Sequence, residues 1–126
     1  VTPFIACLLW VVLRKTSVPA DYSRCRYERD YQRVYQQYHG GDVERPVSKG
    51  RVDWIGVIDG ETVAAEFDFA NKYRQAIGQA LDYAAQTGYR PAIILIMKSA
   101  KDAEYLKLLQ NAVNHHRLPI VVRTVP

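Results

Sequence analysis

Several residue types that build common functional sites are scarce in this sequence of 126 residues. Its two cysteines, Cys7 and Cys25, have neither CxxC spacing nor neighbouring histidines, so they offer no zinc cluster and no disulfide framework. His115 and His116 are adjacent and would point about 100° apart on a helix, so they form no ligand pair on one face. There is also no glycine-rich phosphate loop and no serine in a nucleophile-elbow motif. Zinc, disulfide, nucleotide and serine-hydrolase chemistry therefore have little support.

The sequence also lacks an apolar run long enough to span a bilayer, which takes about 20 residues. Residues 4–13 form a shorter apolar run, followed at once by Arg14 and Lys15. Residues 1–20 therefore allow three interpretations: a signal peptide, a membrane anchor completed by upstream sequence, or an element packed on the domain. We expect a cytoplasmic protein if this segment packs on the domain, and an exported or membrane-tethered one otherwise.

The rest of the chain has the composition of one folded domain. Hydrophobic residues make up 48% and charged residues 24%, which argues against disorder, and the length argues against two domains. Lys and Arg total 17 against 13 Asp and Glu, a mild excess that is compatible with a nucleic-acid partner. We treat residues 21–126 as one domain, and the sequence leaves a homodimer open.

Apolar spacing and turn residues predict a mixed α/β domain with the element order αβββαβαβ. The first helix is expected to turn an aromatic stripe inward, and the apolar run of residues 91–97 is typical of a strand covered on both faces. The stripe consists of Tyr27, Tyr31, Val34, Tyr35 and Tyr38. The predicted strands are residues 43–47, 51–58, 61–69, 91–97 and 119–125, and the predicted helices are residues 22–38, a segment between a cap at Asn71 and Gly88, and a segment capped by Ser99.

The dipeptide Asp59-Gly60 predicts a two-residue hairpin turn between the second and third strands, because both positions favour positive φ. Such a turn fixes the register of the two strands and places Asp53 across from Glu66. Side chains two apart on a strand share a face, so Asp68 joins them. The hairpin therefore predicts three carboxylates close together on one face.

Grouped carboxylates repel one another, and a hard divalent cation such as Mg²⁺ or Mn²⁺ offsets that repulsion through its preference for oxygen ligands. We therefore expect Asp53, Glu66 and Asp68 to hold a metal. The alternative is that Arg51 neutralises Asp68, while Asp53 and Glu66 are solvated.

An Asp on one strand, a hairpin and a Glu on the return strand, followed by a helix and a strand, resemble the PD-(D/E)XK nuclease superfamily. The resemblance covers about residues 22–97 and implies a restriction-endonuclease-like αβββαβ core, with a mixed sheet flanked by helices and extended by a C-terminal helix and strand. It implies that Asp53 is the family's metal-binding Asp and Glu66 the Glu of its second motif. Gln79 and Tyr83 are similar to the Gln-x-x-x-Tyr motif of RecB-like members, which helps to position DNA.

One position departs from the family pattern, because Asp68 occupies the place of the motif lysine. Some members supply this lysine from the next helix, where Lys72 is the candidate. Some add an acid from the first helix, where Glu28 is the candidate, with pairing to nearby arginines as its alternative.

The resemblance implies a metal-dependent endo- or exonuclease that hydrolyses DNA phosphodiester bonds. Asp53, Glu66 and Asp68 would hold Mg²⁺ or Mn²⁺, and Lys72 would orient the attacking water or the phosphate. Exposed arginines would line the path of the DNA backbone. Two alternatives stay open: a catalytically impaired DNA-binding or assembly module, and an exported or membrane-tethered interaction domain. The arginines are Arg24, Arg26, Arg29, Arg51 and Arg74.

Overall fold

The computed structural model describes residues 19–126. The apolar run of residues 4–13 lies outside the described residues. The three interpretations of this run, as a signal peptide, a membrane anchor or a packed element, therefore concern residues outside the described part of the chain. Within residues 19–126, no helix combines the length and the apolar character needed to cross a membrane.

Five strands form one mixed sheet in the order β1-β2-β3-β4-β5. Strand β1 pairs with β2, and β2 with β3, in antiparallel orientation, whereas β3 pairs with β4, and β4 with β5, in parallel. This arrangement confirms the predicted α/β class and the order of helices and strands. The elements are α1 (Glu28–His39), β1 (Asp42–Pro46), β2 (Arg51–Ile58), β3 (Glu61–Phe69), a 3₁₀ turn (Ala70–Lys72), α2 (Tyr73–Thr87), β4 (Arg90–Ile96), α3 (Asp102–His115) and β5 (Val121–Val125).

Helices cover both faces of the sheet. Tyr31 and Tyr35 of α1 pack in one apolar cluster with Ile94 of β4, while Ile93 and Leu95 of the same strand pack in another. The second cluster contains the inward residues of α2 and α3, among them Ala76, Ala80, Leu109 and Val113. Strand β4 is thus covered on both sides, as its uninterrupted apolar sequence predicts.

The hairpin between β2 and β3 has the predicted turn and register. Asp59 and Gly60 have φ values of 51° and 79°, and the paired residues run from Ile58–Glu61 to Trp54–Ala65. Asp53 and Glu66 are the next residues on the two strands. The short turn therefore brings both carboxylates to the same end of the sheet.

The predicted start of the first helix, at residue 22, was wrong. Helix α1 begins at Glu28 because the Asp30 carboxylate accepts the backbone N–H groups of Arg26 and Tyr27, at 3.0 and 2.9 Å. Tyr27 is extended, with φ −103° and ψ 156°, and 63% of it is exposed. Tyr31 is only 2% exposed, so Tyr27 does not belong to the buried stripe.

The predicted caps of the other two helices were also wrong. Asn71 lies inside the 3₁₀ turn, and α2 begins after Lys72 without a side-chain cap. Before α3, the carboxylate of Asp102 accepts the backbone N–H groups of Lys98 and Ser99. Ser99 therefore donates from its backbone, and the side chain that accepts these bonds belongs to Asp102, the first residue of the helix. The 3₁₀ turn matters for the site because it carries Lys72 directly behind the end of β3.

Candidate metal and nucleic-acid site

Three carboxylates meet where β2 begins and β3 ends. Asp53 lies next to Trp54, whose pairing with Ala65 is the pair of the hairpin farthest from the turn. The Oδ2 atom of Asp53 accepts the backbone N–H of Phe67 at 2.8 Å. Glu66 and Asp68 flank Phe67 on β3, so their side chains point to the face opposite to that of the buried Phe67. One side-chain hydrogen bond thus joins the two strands at the point where the carboxylates come together.

Glu66 is only 5% exposed, and its surroundings oppose ionisation. Burial raises the pKa of Glu66 strongly, and the negative charges of Asp53 and Asp68 raise it further. Burial also raises the pKa of Asp53, although the N–H of Phe67 partly counters this by favouring the charged form. The alternative in which Asp53 and Glu66 are simply solvated is therefore wrong for Glu66.

Asp68 is 1% exposed and lies near Glu28, which belongs to the first turn of α1. Burial raises the pKa of Asp68 first, the charge of Glu28 and a hydrogen bond to it raise it further, and Lys72 lowers it. The Nζ atom of Lys72 lies 3.6 Å from Oε1 of Glu28. The fold thus brings the first helix and the 3₁₀ turn to the same acidic end of the hairpin.

Arg51 does not pair with Asp68. The ion pairs within residues 19–126 do not include Arg51, and Lys72 is the cation that lowers the pKa of Asp68. Glu28 pairs with Lys72 and not with the neighbouring arginines. The alternative that Arg51 neutralises Asp68 is therefore wrong, and so is the alternative that Glu28 pairs with nearby arginines.

Two carboxylate oxygens in this cluster, Oε2 of Glu66 and Oδ2 of Asp68, are buried without a hydrogen-bond partner. A buried carboxylate oxygen without a partner is costly, and oxygen atoms of this kind are the ligands that Mg²⁺ and Mn²⁺ prefer. The residues fit such an ion in donor chemistry. As the side chains stand, no group of three or more His, Cys, Asp and Glu residues in the described part of the chain has the spacing to hold a metal.

An open cleft of about 510 Å³ lies beside the cluster. The sequence did not single out two of its polar residues, Gln32 and Glu44. Gln32 is 4% exposed, its Oε1 atom has no partner, and it lies one helical turn after Glu28, a spacing that would have revealed it. The cleft is lined by Tyr27, Glu28, Arg29, Gln32, Glu44, Asp53, Phe69 and Lys72.

Gln79 and Tyr83 share one face of α2, four residues apart. Burial raises the pKa of Tyr83, and the charges of Glu66 and Asp53 raise it further. The ring packs against the apolar cluster of Val52, Ile55 and Ala64 on the two strands that carry these acids. A Cβ atom added at Gly50 would lie 2.9 Å from the Tyr83 hydroxyl, so the loop before β2 packs closely on this ring. The Oε1 atom of Gln79 is buried without a partner.

The arginines expected to line the path of the DNA are all exposed, and two of them, Arg51 and Arg74, lie close in sequence to residues of the acidic end. Arg51 opens β2, at the end of the strand that carries Asp53. Arg74 lies in the first turn of α2, with its guanidinium carbon 4.8 Å from the centre of the Tyr73 ring. Both positive charges are thus close in sequence to residues of the acidic end, Arg51 to Asp53 and Arg74 to Lys72.

This chain was compared with known protein families, curated proteins and solved structures. A scan against protein-family models, a search of curated proteins and a search of solved structures each give no match to this chain.

Proposed function

We propose that this chain is a metal-dependent nuclease of the PD-(D/E)XK type, acting on DNA phosphodiester bonds. The observation that carries the proposal is the cluster of Asp53, Glu66 and Asp68, in which Glu66 and Asp68 are buried, Asp53 is partly buried and all three pKa values are raised. Grouping three such carboxylates costs stability, and a protein keeps such a cost mainly where a bound cation or chemistry requires it. The cleft beside them gives a phosphate access to this end of the sheet.

The topology supports a restriction-endonuclease-like core. One helix, three antiparallel strands, a second helix and a parallel strand follow in that order, and the carboxylates lie on two adjacent strands. The packing of Tyr83 on the strands that carry Asp53 and Glu66 supports the similarity of the second helix to the Gln-x-x-x-Tyr motif.

Asp53, Glu66 and Asp68 would hold one or two Mg²⁺ or Mn²⁺ ions. When bound, such an ion lowers the pKa of a coordinated water and stabilises the charge that develops on the phosphate. The low exposure of Glu66 and Asp68 limits screening by water, so the carboxylates keep their electrostatic effect on the bound cation.

Lys72 would replace the lysine that Asp68 displaces from the family motif. Its ammonium group lies at the cleft wall and is held at 3.6 Å by Glu28. From there it would orient the attacking water or a non-bridging phosphate oxygen, and Glu28 would act as a positioning residue for this amine. The water oxygen then forms the new bond to phosphorus, while the bond to the leaving sugar oxygen breaks.

The test is DNA cleavage by the full chain with plasmid and linear DNA in Mg²⁺, Mn²⁺ or EDTA. Asp53→Asn and Glu66→Gln keep the shape of the side chains and remove their charge, and each should lower the metal-dependent rate by at least about a hundredfold. Glu61→Gln is the matched control, because Glu61 is an exposed acid at the other end of β3. Cleavage that persists in EDTA, or in both site variants, would contradict the proposal.

A second candidate is a DNA-binding or assembly module on the same fold, without cleavage. It is favoured by Asp68 at the lysine position and by the engagement of Lys72 with Glu28. Binding of DNA by the folded chain without cleavage in either metal would support it. The membrane-tethered alternative depends on residues 4–13, and fractionation of the full-length protein is its test.

A further inference from the structure

Tyr27 is the most exposed aromatic side chain in residues 19–126, at 63%. It lines the same cleft as Asp53 and Lys72, and Arg29 lies beside it on the cleft wall. A tyrosine ring exposed at the mouth of a polar cleft offers an apolar face on which a planar ligand group can stack. The sequence predicted Tyr27 as a buried residue of the helix stripe, and the structure removes that explanation.

The backbone that carries Tyr27 is fixed. The Asp30 carboxylate accepts the N–H groups of both Arg26 and Tyr27, and these bonds keep Tyr27 extended just before α1. The pKa of Asp30 is lowered by its bond to Tyr27 and then by its bond to Arg26, so it accepts these bonds as an anion over the physiological range. The ring is thus presented from an ordered backbone, which reduces the entropy lost when a ligand stacks on it.

We propose that Tyr27 stacks on an unpaired nucleobase next to the scissile phosphate, and that the substrate is single-stranded DNA. The inference rests on the proposed nuclease function and specifies its substrate class. Arg29 and Lys72, two cations on the same cleft wall, contact the flanking phosphates. An aromatic ring beside cations is the common arrangement for binding a single strand, because every base offers a π face.

A duplex does not fit this surface in the same way. Both faces of a base inside a duplex are covered by its neighbours, so an external ring cannot stack on it without unstacking the helix. The acids that line the cleft add to this preference, because the negative charges of Glu28, Glu44 and Asp53 repel the second phosphate chain that a duplex would bring.

The test uses the full chain and a fluorescein-labelled oligonucleotide, single-stranded or annealed to its complement, with fluorescence anisotropy in EDTA to prevent cleavage. Tyr27→Ala should weaken binding of the single strand roughly tenfold or more and change duplex binding little. Tyr27→Phe should keep single-strand binding near that of the unchanged chain. Tyr38→Ala is the matched control, since Tyr38, near the end of α1, is a tyrosine that is 37% exposed and does not line the cleft.

An abasic nucleotide moved along the single strand sharpens the test. At one position it should weaken binding by the unchanged chain, and it should have no further effect on Tyr27→Ala, because the ring and the base act as a pair. Equal losses for Tyr27→Ala and Tyr38→Ala, no loss for Tyr27→Ala, or tighter binding of the duplex would overturn the proposal. Single-strand binding that depends on Tyr27, without cleavage in any metal, would refute the nuclease and support only the stacking of Tyr27 on an unpaired base.

Discussion

The two ends of the β2–β3 hairpin treat acidic side chains in opposite ways. At the turn, Asp59 pairs with Arg123 and Glu61 pairs with Arg90, and all four side chains are at least 41% exposed. At the other end, Glu66 and Asp68 are at most 5% exposed and have other carboxylates as neighbours. Exposed pairs of this kind contribute about 0–1 kcal/mol each, whereas a buried group of like charges costs stability. The contrast within one hairpin is what separates a structural acid from a candidate ligand.

The largest expected effect concerns the cation at each end. Lys72→Ala should lower the metal-dependent cleavage rate by about 10²–10³-fold, because it removes the amine that would stabilise the charge developing on the phosphate. Lys72→Arg should keep part of the rate. Arg123→Ala removes a cation from the turn end of the hairpin and should leave the rate within about twofold.

Single-turnover rates in Mg²⁺ measure this difference. An unchanged rate in Lys72→Ala would show that this lysine does not replace the motif lysine. Equal losses for Lys72→Ala and Arg123→Ala would show that the two ends do not differ in function.

A smaller effect is expected for the dependence of stability on pH and metal. The pKa values of Asp53, Glu66 and Asp68 are raised in the folded protein. Without metal, the contribution of these groups to the free energy of unfolding is therefore fully present below their unfolded-state pKa values, and it is lost as the pH rises through their folded-state pKa values. Mg²⁺ competes with these protons, so its stabilising effect should grow with pH and reach about 2.7 kcal/mol at a hundredfold excess over Kd.

Thermal unfolding of the full chain from acidic to alkaline pH, in EDTA and in Mg²⁺, measures both effects. A Tm in EDTA that rises with pH across the neutral range, or a Mg²⁺ effect that is the same at every pH, would contradict this account of the cluster. Asp53→Asn should remove most of the Mg²⁺ effect.

The smallest effect separates Glu66 from Glu61, two of the three acids of β3. In the metal-free protein, Glu66→Gln should raise the free energy of unfolding at neutral pH by about 1 kcal/mol, since it removes a group that is charged when unfolded and disfavoured as a charge when folded. Glu61→Gln removes an exposed partner of Arg90 and should lower it by less than about 1 kcal/mol.

Denaturant unfolding in EDTA gives both values. The opposite signs of the two changes are the critical result. A destabilised Glu66→Gln protein would mean that Glu66 has a favourable partner in the folded, metal-free state.

The sequence was most informative where local chemistry determines geometry. Asp59-Gly60 determined the turn, the turn determined the register, and the register placed Asp53 and Glu66 at the same end of the hairpin. The apolar run in β4 predicted a strand covered on both faces, and α1 and α2 pack against its two sides. These features depend on residues close to one another in the chain.

The features that the sequence did not reveal depend on contacts between distant segments. The pairing of Lys72 with Glu28 joins the 3₁₀ turn to the first helix, and no local pattern specifies it. The exposure of Tyr27 follows from the hydrogen bonds that the backbone of Arg26 and Tyr27 donates to Asp30. Because of these bonds the helix begins after Tyr27, although the aromatic spacing includes this residue. Helical spacing predicted a face correctly for Tyr31 and Tyr35 but could not indicate where that helix begins.

Strand β3 is the central strand of the sheet, with an antiparallel neighbour on one side and a parallel neighbour on the other. Glu66 and Asp68 therefore lie on a strand whose separation would require breaking hydrogen bonds along both edges. We expect its amides to be among the slowest in hydrogen exchange. The molecule would thus keep the two carboxylates of this strand in place on the timescale of turnover.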